Sequence, residues 1–214
     1  MKRRTLDILF SIGGVGIAAL LLVMGVILTD NAKFADDYVT KQLKEQKITF
    51  KAADKLTAEE KKSACVVENA GKPLVTGKQA ECYANEFIAL HTATTAKGLT
   101  YSELGDVQTT LRAQIAEAQS KQAPNLADLQ KQLTDVTAQR ETVFKGETLR
   151  GILLTSYGFS VLGEKGGQFA TYAFAGAALM VLLSAAGFVH ALVTPRSKGF
   201  AVPRPVRSGE KVAA

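Results

Sequence analysis

The chain has 214 residues, a formal net charge of +6, two cysteines, two histidines and no tryptophan. A basic excess can indicate nucleic-acid binding, but residues 30–168 hold equal numbers of basic and acidic residues, so the whole excess lies at the two ends. This distribution is typical of charges that flank membrane segments rather than of a nucleic-acid interface, so we expect no nucleic-acid partner.

Two uncharged stretches dominate the sequence. Residues 8–28 and 169–193 contain 21 and 25 residues, respectively, without Asp, Glu, Lys or Arg. Because about 20 helical residues cross a hydrocarbon core, both stretches are predicted to be transmembrane helices. The first is longer than the apolar core of a signal peptide, and no typical cleavage site follows it. We therefore interpret it as an uncleaved anchor.

Basic residues flank these two stretches on their outer sides. They are Lys2, Arg3 and Arg4 before the first stretch and Arg196, Lys198, Arg204, Arg207 and Lys211 after the second. Basic residues close to membrane segments are retained in the cytoplasm. The expected topology in the plasma membrane is a cytoplasmic N-terminus (1–7), an extracytoplasmic domain (29–168), and a disordered cytoplasmic tail (194–214). The basic ends would meet anionic lipid headgroups.

The first half of the central segment reads as a series of helices. Residues 30–70 contain neither Gly nor Pro, so the first helix can continue beyond the membrane. Residues 48–50 (ITF) predict a short extended piece. Thr57-x-x-Glu60 is a capping-box pattern that opens a predicted helix over 58–69, and Gly71 ends it. The next helix is expected to start at Thr76 or Gly77.

The second half predicts an antiparallel helical hairpin over 101–145. Thr100-x-x-Glu103 is a second capping box, and Pro124 separates the two helices. Each helix has an apolar row at helical spacing: Leu104, Val107, Leu111 and Ile115, then Leu126, Leu129, Leu133 and Val136. These rows form either ordinary core or a partner contact, and Lys131 and Asp135 on the opposite face are a possible partner surface. Breaks are expected at Gly146 and at the hinge-like GEKGG (163–167).

Cys65 and Cys82 lie in two neighbouring predicted helices of the extracytoplasmic segment, where disulfides persist. A bridge would join those helices; the alternative is a pair of buried free thiols. Their spacing is not that of a redox-active C-x-x-C pair.

The residues that usually carry catalysis or metal binding are scarce. His91 is expected to contact solvent and His190 lies in the second apolar stretch. The adjacent pairs Asp36–Asp37 and Glu59–Glu60 point in different directions on a helix, which favours solvated faces over a catalytic dyad. We therefore expect no catalytic residues, no metal site, no cofactor and no enzyme activity.

Small residues line both predicted membrane helices. Gly14 and Ala18 are four residues apart in the first, and Ala173 and Ala177 lie beside Gly176 in the second. Small side chains let helix backbones approach closely. The two helices are expected to pack on each other, on a partner membrane protein, or on both.

Three segments, QLKEQKITF (42–50), AECYANEFI (80–88) and ETLRGILLTSYGF (147–159), resemble a family of two-pass actinobacterial membrane proteins of unknown function. The resemblance covers most of the chain and implies an envelope-facing membrane protein, with no active residues to carry over. Some members are labelled aromatic-ring-opening dioxygenases. Such enzymes bind iron through His and carboxylate ligands, and the central segment offers His91 alone, so that label does not fit here.

Taken together, the sequence predicts an all-α membrane protein in which two transmembrane helices bracket a mostly helical extracytoplasmic domain. The leading hypothesis is a non-enzymatic accessory or scaffolding protein of the cell envelope that binds another membrane or envelope protein, or itself. The alternative is a sensory or regulatory subunit that works with a separate transmitter, since a tail of 21 residues is too short for a kinase. An envelope enzyme is a third reading without candidate chemistry.

Overall fold

The computed structural model describes residues 3–195. Most of the predicted tail, with its basic residues, lies outside the described residues, as does Lys2. The chain divides into two compact units, Met1–Asp30 with Gly166–Ala214, and Asn31–Lys165. We call the described part of the first, residues 3–30 and 166–195, the helix pair, and the second the central unit.

The described residues are mostly helical, which confirms the predicted all-α fold class at that level. The α-helices are α1 Arg3–Glu45, α2 Ala64–Asn69, α3 Gly77–Cys82, α4 Ala89–Thr95, α5 Tyr101–Ser120 and α6 Leu126–Val193. A π-helical segment, Tyr83–Ile88, joins α3 to α4, and 3₁₀ turns lie at Ala53–Lys55 and Glu60–Lys62. Between residues 3 and 195 there is no β-strand, and Thr49 and Pro73 form an isolated bridge.

Helices α1 and α6 are each long and apolar enough to cross a membrane. Within the helix pair, the buried positions recur at steps of three, four or seven residues and are glycines or carry small side chains. These buried residues are Ser11, Gly14, Ala18, Gly25, Ala170, Ala173, Ala177, Ser184, Ala191 and Thr194. Spacing of this kind places one row on one face of each helix. The larger apolar side chains of both helices are exposed on the other faces, as expected for helices whose surroundings are lipid.

Both long helices continue well past the apolar stretches. Helix α1 runs to Glu45, as the absence of Gly and Pro predicted. Helix α6 passes without interruption through Gly146 and through 163–167, so the expected break and hinge are wrong. A glycine inside a helix costs only about 1 kcal/mol relative to alanine. Here glycine gives room, because a Cβ at Gly146 would overlap Thr92, and one at Gly163 would lie 2.7 Å from the Ala35 side chain.

The central unit has its core where α1, α3, the π segment and α6 meet the loop that follows α1. The predicted extended piece forms there, with the Phe50 N–H donating to the Lys72 carbonyl at 3.0 Å and the Leu74 N–H to the Ile48 carbonyl at 2.9 Å. The core is apolar and consists of Val39, Leu43, Phe50, Leu56, Val66, Leu74, Ala80, Cys82, Ala84, Ile88 and Leu153. Its largest side chains are almost fully withdrawn from solvent.

The helix predicted over 58–69 forms only in part. The capping-box hydrogen bonds are present, since the Thr57 N–H donates to Glu60 Oε2 and the Glu60 N–H to Thr57 Oγ1. A 3₁₀ turn and an extended Ser63 then intervene before α2 begins at Ala64. The pattern was correct locally, but the helix did not continue beyond this turn.

Helix α5 and the first part of α6 contact each other in antiparallel order, so that residues early in α5 meet residues later in α6. Arg140 Nε donates to the Tyr101 carbonyl at 3.2 Å, and Gln108 Nε2 donates to Thr137 Oγ1 at 2.7 Å. Leu104 and Val143 share a small buried cluster with Ala96. Thr100 and Glu103 form the predicted capping box at the start of α5, which is confirmed.

Candidate functional site

Glu60 is the most unusual polar residue of the central unit. Its side chain has 0% exposure, so the expectation that Glu59–Glu60 is a solvated pair is wrong for Glu60 and holds for Glu59, which is exposed. Burying an unpaired carboxylate would be very costly. The surroundings of Glu60 must therefore supply donors.

Three groups from separate segments hold the Glu60 carboxylate. Oε1 lies 2.7 Å from Lys51 Nζ and 2.7 Å from His91 Nε2, and Oε2 accepts the Thr57 N–H at 2.8 Å. An ionised carboxylate only accepts hydrogen bonds, so Nε2 of His91 is the donor. His91 was expected to contact solvent. Its half-exposed side chain does so, and Nε2 also contacts this buried anion, a partner that the sequence did not predict.

The electrostatics of this cluster favour the charged carboxylate. Burial raises the pKa of the Glu60 carboxyl, but the hydrogen bonds from Lys51, Thr57 and His91 outweigh it and lower the pKa from 4.5 to about 2. Glu60 is therefore ionised at neutral pH. A carboxylate with both oxygens occupied and a pKa this low is poorly suited to act as a general acid or base. Glu60 is instead a fixed anion that binds the loop at Lys51, the turn at Thr57 and the helix that carries His91.

Aromatic rings cover the same cluster. Tyr83 packs against Phe50 at 5.1 Å between ring centroids and against Phe87 at 4.7 Å, and Phe87 lies 4.6 Å from the His91 ring. The ammonium of Lys51 lies 5.3 Å from the Phe87 centroid, a cation–π distance. Burial and the negative charge of Glu60 raise the pKa of the Tyr83 hydroxyl.

The π-helical segment aligns these rings. The Ala89 N–H donates to the Ala84 carbonyl, five residues earlier, which widens this turn by one residue. Side chains at Tyr83, Phe87 and His91 then follow one another along one face. Regular α-helical spacing would instead place Tyr83, Phe87 and Leu90 in one row. No local sequence pattern marks the wider turn, so the position of His91 on this face could not be predicted.

Cys65 and Cys82 are joined as a disulfide, with Cα atoms 6.1 Å apart, which fits the predicted pairing. Cys65 lies in α2 and Cys82 at the end of α3, so the bridge connects these two short helices. Asn69 and Gln79 add a side-chain hydrogen bond between the same helices at 3.1 Å. Helices α2 and α3 are therefore linked by both a disulfide and a side-chain hydrogen bond.

Lys131 and Asp135 are both exposed on α6, away from α5. On the side that faces α5, Leu126, Leu129, Leu133 and Val136 are only half-buried. Arg140, four residues after Val136, lies over the Tyr101 ring at 4.0 Å and donates to Gln108 Oε1 at 3.0 Å. Buried Gln108 and half-exposed Arg140 thus form a polar link between the helices that hydrophobic spacing did not reveal.

The five small residues named in the predicted membrane helices all lie in the helix pair. Ala18, Ala173 and Ala177 are buried, and Gly176 lies beside Leu21. A Cβ built on Gly14 would overlap Ser184 Oγ, whereas one on Gly13 would meet nothing within 4 Å. The row that contains Gly14 and Ala18 therefore faces α6.

One polar contact of the helix pair was missed by the sequence. Asp7 Oδ2 lies 3.0 Å from Nδ1 of His190, joining the beginning of α1 to the end of α6. The two residues are 183 positions apart, so no local pattern could have indicated this pairing.

Within residues 3–195, no three or more His, Cys, Asp or Glu side chains are grouped so that they could hold a metal ion. No protein-family model, curated protein or solved structure matches the chain. The family resemblance described above therefore stays an expectation.

Proposed function

We propose that this chain is an integral membrane protein of the cell envelope that acts as a non-enzymatic accessory or scaffolding component. In this proposal α1 and α6 cross the plasma membrane, both termini are cytoplasmic, and the central unit is extracytoplasmic. The α5–α6 hairpin docks a helix of another membrane or envelope protein. The resemblance to two-pass actinobacterial membrane proteins is consistent with this placement.

The half-covered leucine row of α6 is the observation that supports docking. Leu126, Leu129 and Leu133 lie beyond the cluster of Leu104 and Val143, where α5 is the neighbouring helix. Burying a leucine side chain fully is worth about 1.5–3 kcal/mol relative to leaving it exposed. A further helix laid along this row would gain part of that free energy, as amphipathic helices do in grooves.

A pair of charge reversals tests whether a partner also contacts the exposed face of α6 opposite this row. Lys131→Glu with Asp135→Lys keeps opposite charges four residues apart on α6, so the helix should stay intact. The complex purified with the chain in mild detergent should be lost or strongly reduced. The matched control is Glu141→Lys with Lys145→Glu, which reverses another exposed pair of the same spacing on the same helix. The control should retain the complex.

A complex that survives the first reversal, or that is lost equally in both, would contradict docking through this face. Co-expression of two differently tagged copies identifies the occupant. If one tagged copy recovers the other through the same face, the partner is a second copy of the chain rather than a different protein.

A sensory or regulatory subunit is the second candidate, and helix continuity favours it. Helices α1 and α6 pass from apolar segment into central unit without a break, over 43 and 68 residues. Continuous helices are suited to transmitting a displacement. This candidate predicts that purification recovers a separate kinase or regulator with the chain, whereas a stoichiometric structural complex without such a protein would count against it.

A further inference from the structure

A groove in the central unit runs between the last turns of α1 and the middle of α6. Its volume is about 400 Å³, within the range of small-molecule sites. Val39, Leu43 and Leu153 are buried and form its floor, while Ile152 and Phe159 form part of its rim. Tyr38 and Phe159 lie at one end of the groove, with ring centroids 5.8 Å apart.

The chemistry of the lining is uniform. Every lining side chain is uncharged, and the polar groups belong to two glutamines, a threonine, a serine and the hydroxyl of Tyr38. Thr155 and Ser156 already donate their hydroxyl hydrogens to carbonyls of their own helix, at 2.9 and 3.1 Å. They therefore need no hydrogen-bond acceptor from a ligand. Gln42 in the last turn of α1 and Gln46, which directly follows the helix, provide amide groups at the end away from Tyr38.

Two exposed apolar side chains of the central unit lie, in sequence, between the groove residues and the apolar stretches. Phe34 is 59% exposed and stacks on Tyr38 with centroids 5.8 Å apart, and Leu162 on α6 is 70% exposed. Phe34 lies six residues after the first apolar stretch and Leu162 seven residues before the second, about 9–11 Å along each helix. Large exposed apolar side chains at these places are costly in water and favourable next to hydrocarbon.

From this combination we propose that the groove binds the hydrocarbon chain of an uncharged membrane amphiphile. The chain lies over Val39, Leu153 and Ile152, and leaves the groove past Tyr38 towards Phe34 and Leu162. The uncharged polar end meets the amides of Gln42 and Gln46. An anionic ligand is disfavoured because the lining has no cation to pair with it.

This proposal does not depend on partner docking through the α5–α6 hairpin, because the groove lies on a different stretch of α6 and the readout is a lipid. The probe is a monoacylglycerol with a photoreactive diazirine in its acyl chain, present at trace amounts in nanodiscs that hold the full-length protein. After irradiation, peptides spanning 38–46 and 149–159 should carry the label.

Two variants test the site. Ile152→Glu places a charge on a 60% exposed rim residue, and Thr155→Phe fills the groove without a charge. Each should reduce labelling of these peptides roughly ten-fold or more, since a carboxylate cannot be desolvated against hydrocarbon and a filled groove has no room. The control Thr148→Glu introduces the same charge at an exposed position of α6 outside the groove, and should label like the wild type.

Three outcomes would overturn the proposal. Label confined to peptides of 8–28 and 169–193 would indicate bulk lipid alone. Equal labelling of wild type, Ile152→Glu and Thr155→Phe, with unchanged melting behaviour, would show that the groove is not the site. A photoreactive amino acid at position 152 that captures a polypeptide rather than the lipid would make the groove a protein interface.

Discussion

The Glu60 carboxylate is stabilised by groups that come from a loop, a turn and a helix. Lys51 precedes it by nine residues and His91 follows it by 31, so folding must bring all three together. Lys51 and His91 each remain partly exposed, and both could be rehydrated if the carboxylate were lost. The cluster therefore stabilises the central unit by linking these three segments. Its contribution to the free energy of unfolding can be measured by removing the charge of Glu60.

Replacing Glu60 with glutamine should lower the free energy of unfolding by about 1–3 kcal/mol, because charge-assisted hydrogen bonds to a buried group are replaced by neutral ones. The matched control is Glu59→Gln, next in sequence, whose exposed bridge to Lys62 should contribute under about 1 kcal/mol. Thermal and denaturant unfolding of the full-length protein in detergent measures both. Equal effects of the two changes on the free energy of unfolding would show that the Glu60 cluster does not stabilise the fold.

The same cluster predicts a dependence on pH. The pKa of Glu60 is about 2 in the folded protein against an ordinary 4.5, so folding favours the charged form. The corresponding stability is fully present above about pH 5 and is lost as the pH falls from there towards 2. Unfolding measured between pH 6 and pH 2.5 should show this decline in the wild type and a shallower one in Glu60→Gln. Parallel curves would contradict the assignment.

The disulfide gives a further prediction at the scale of single residues. Cys82→Ser should lower the stability of the protein by roughly 2–4 kcal/mol, mainly because the unfolded chain gains freedom. Peptide mapping of protein from its native membrane under non-reducing conditions should show Cys65 linked to Cys82 in the wild type. Two free thiols in that sample would refute the bridge.

At the scale of helices, features encoded by neighbouring residues could be predicted and features that depend on distant contacts could not. The Thr100 capping box and the continuation of α1 depend on residues within one or two turns of each other. The extended piece at 48–50 was marked by its own β-branched and aromatic residues, although its hydrogen-bond partners Lys72 and Leu74 are distant in sequence. The path of α6 through Gly146 and Gly163 could not be predicted, because each glycine is explained by a side chain from another helix. The Glu60 site was missed for the same reason.

Packing within the helix pair can be tested with two neighbouring glycines. Gly14→Leu would force a side chain into the position of Ser184 and should cost about 1–3 kcal/mol through overpacking. Gly13→Leu adds the same side chain where nothing lies within 4 Å, and should be neutral or slightly stabilising because leucine favours helices. Thermal unfolding in detergent distinguishes them. Gly14→Leu that melts like Gly13→Leu would show that this row does not pack tightly.

At the scale of the whole molecule, the distribution of charge predicts the orientation in the membrane. A thiol reagent that cannot cross membranes should label Lys121→Cys in intact cells and should label Ser208→Cys only after the cells are opened. This result follows from basic residues retained in the cytoplasm at both ends of the chain. The reverse pattern would invert the proposed topology, and labelling of both in intact cells would place the termini on opposite sides.

The wide helical turn at Tyr83–Ile88 links two attachments that lie on either side of it. Cys82 precedes the turn and is bonded to Cys65, and His91 follows it and contacts Glu60. Deleting one residue from the turn, such as exposed Glu86, would restore a regular α-helix and rotate one side relative to the other by about 100°. Both attachments could not then form without strain. Related chains that lack this residue should therefore have lost either the disulfide or the acid–histidine contact. The extra residue of the wide turn should accordingly occur together with the Cys65–Cys82 and Glu60–His91 pairs.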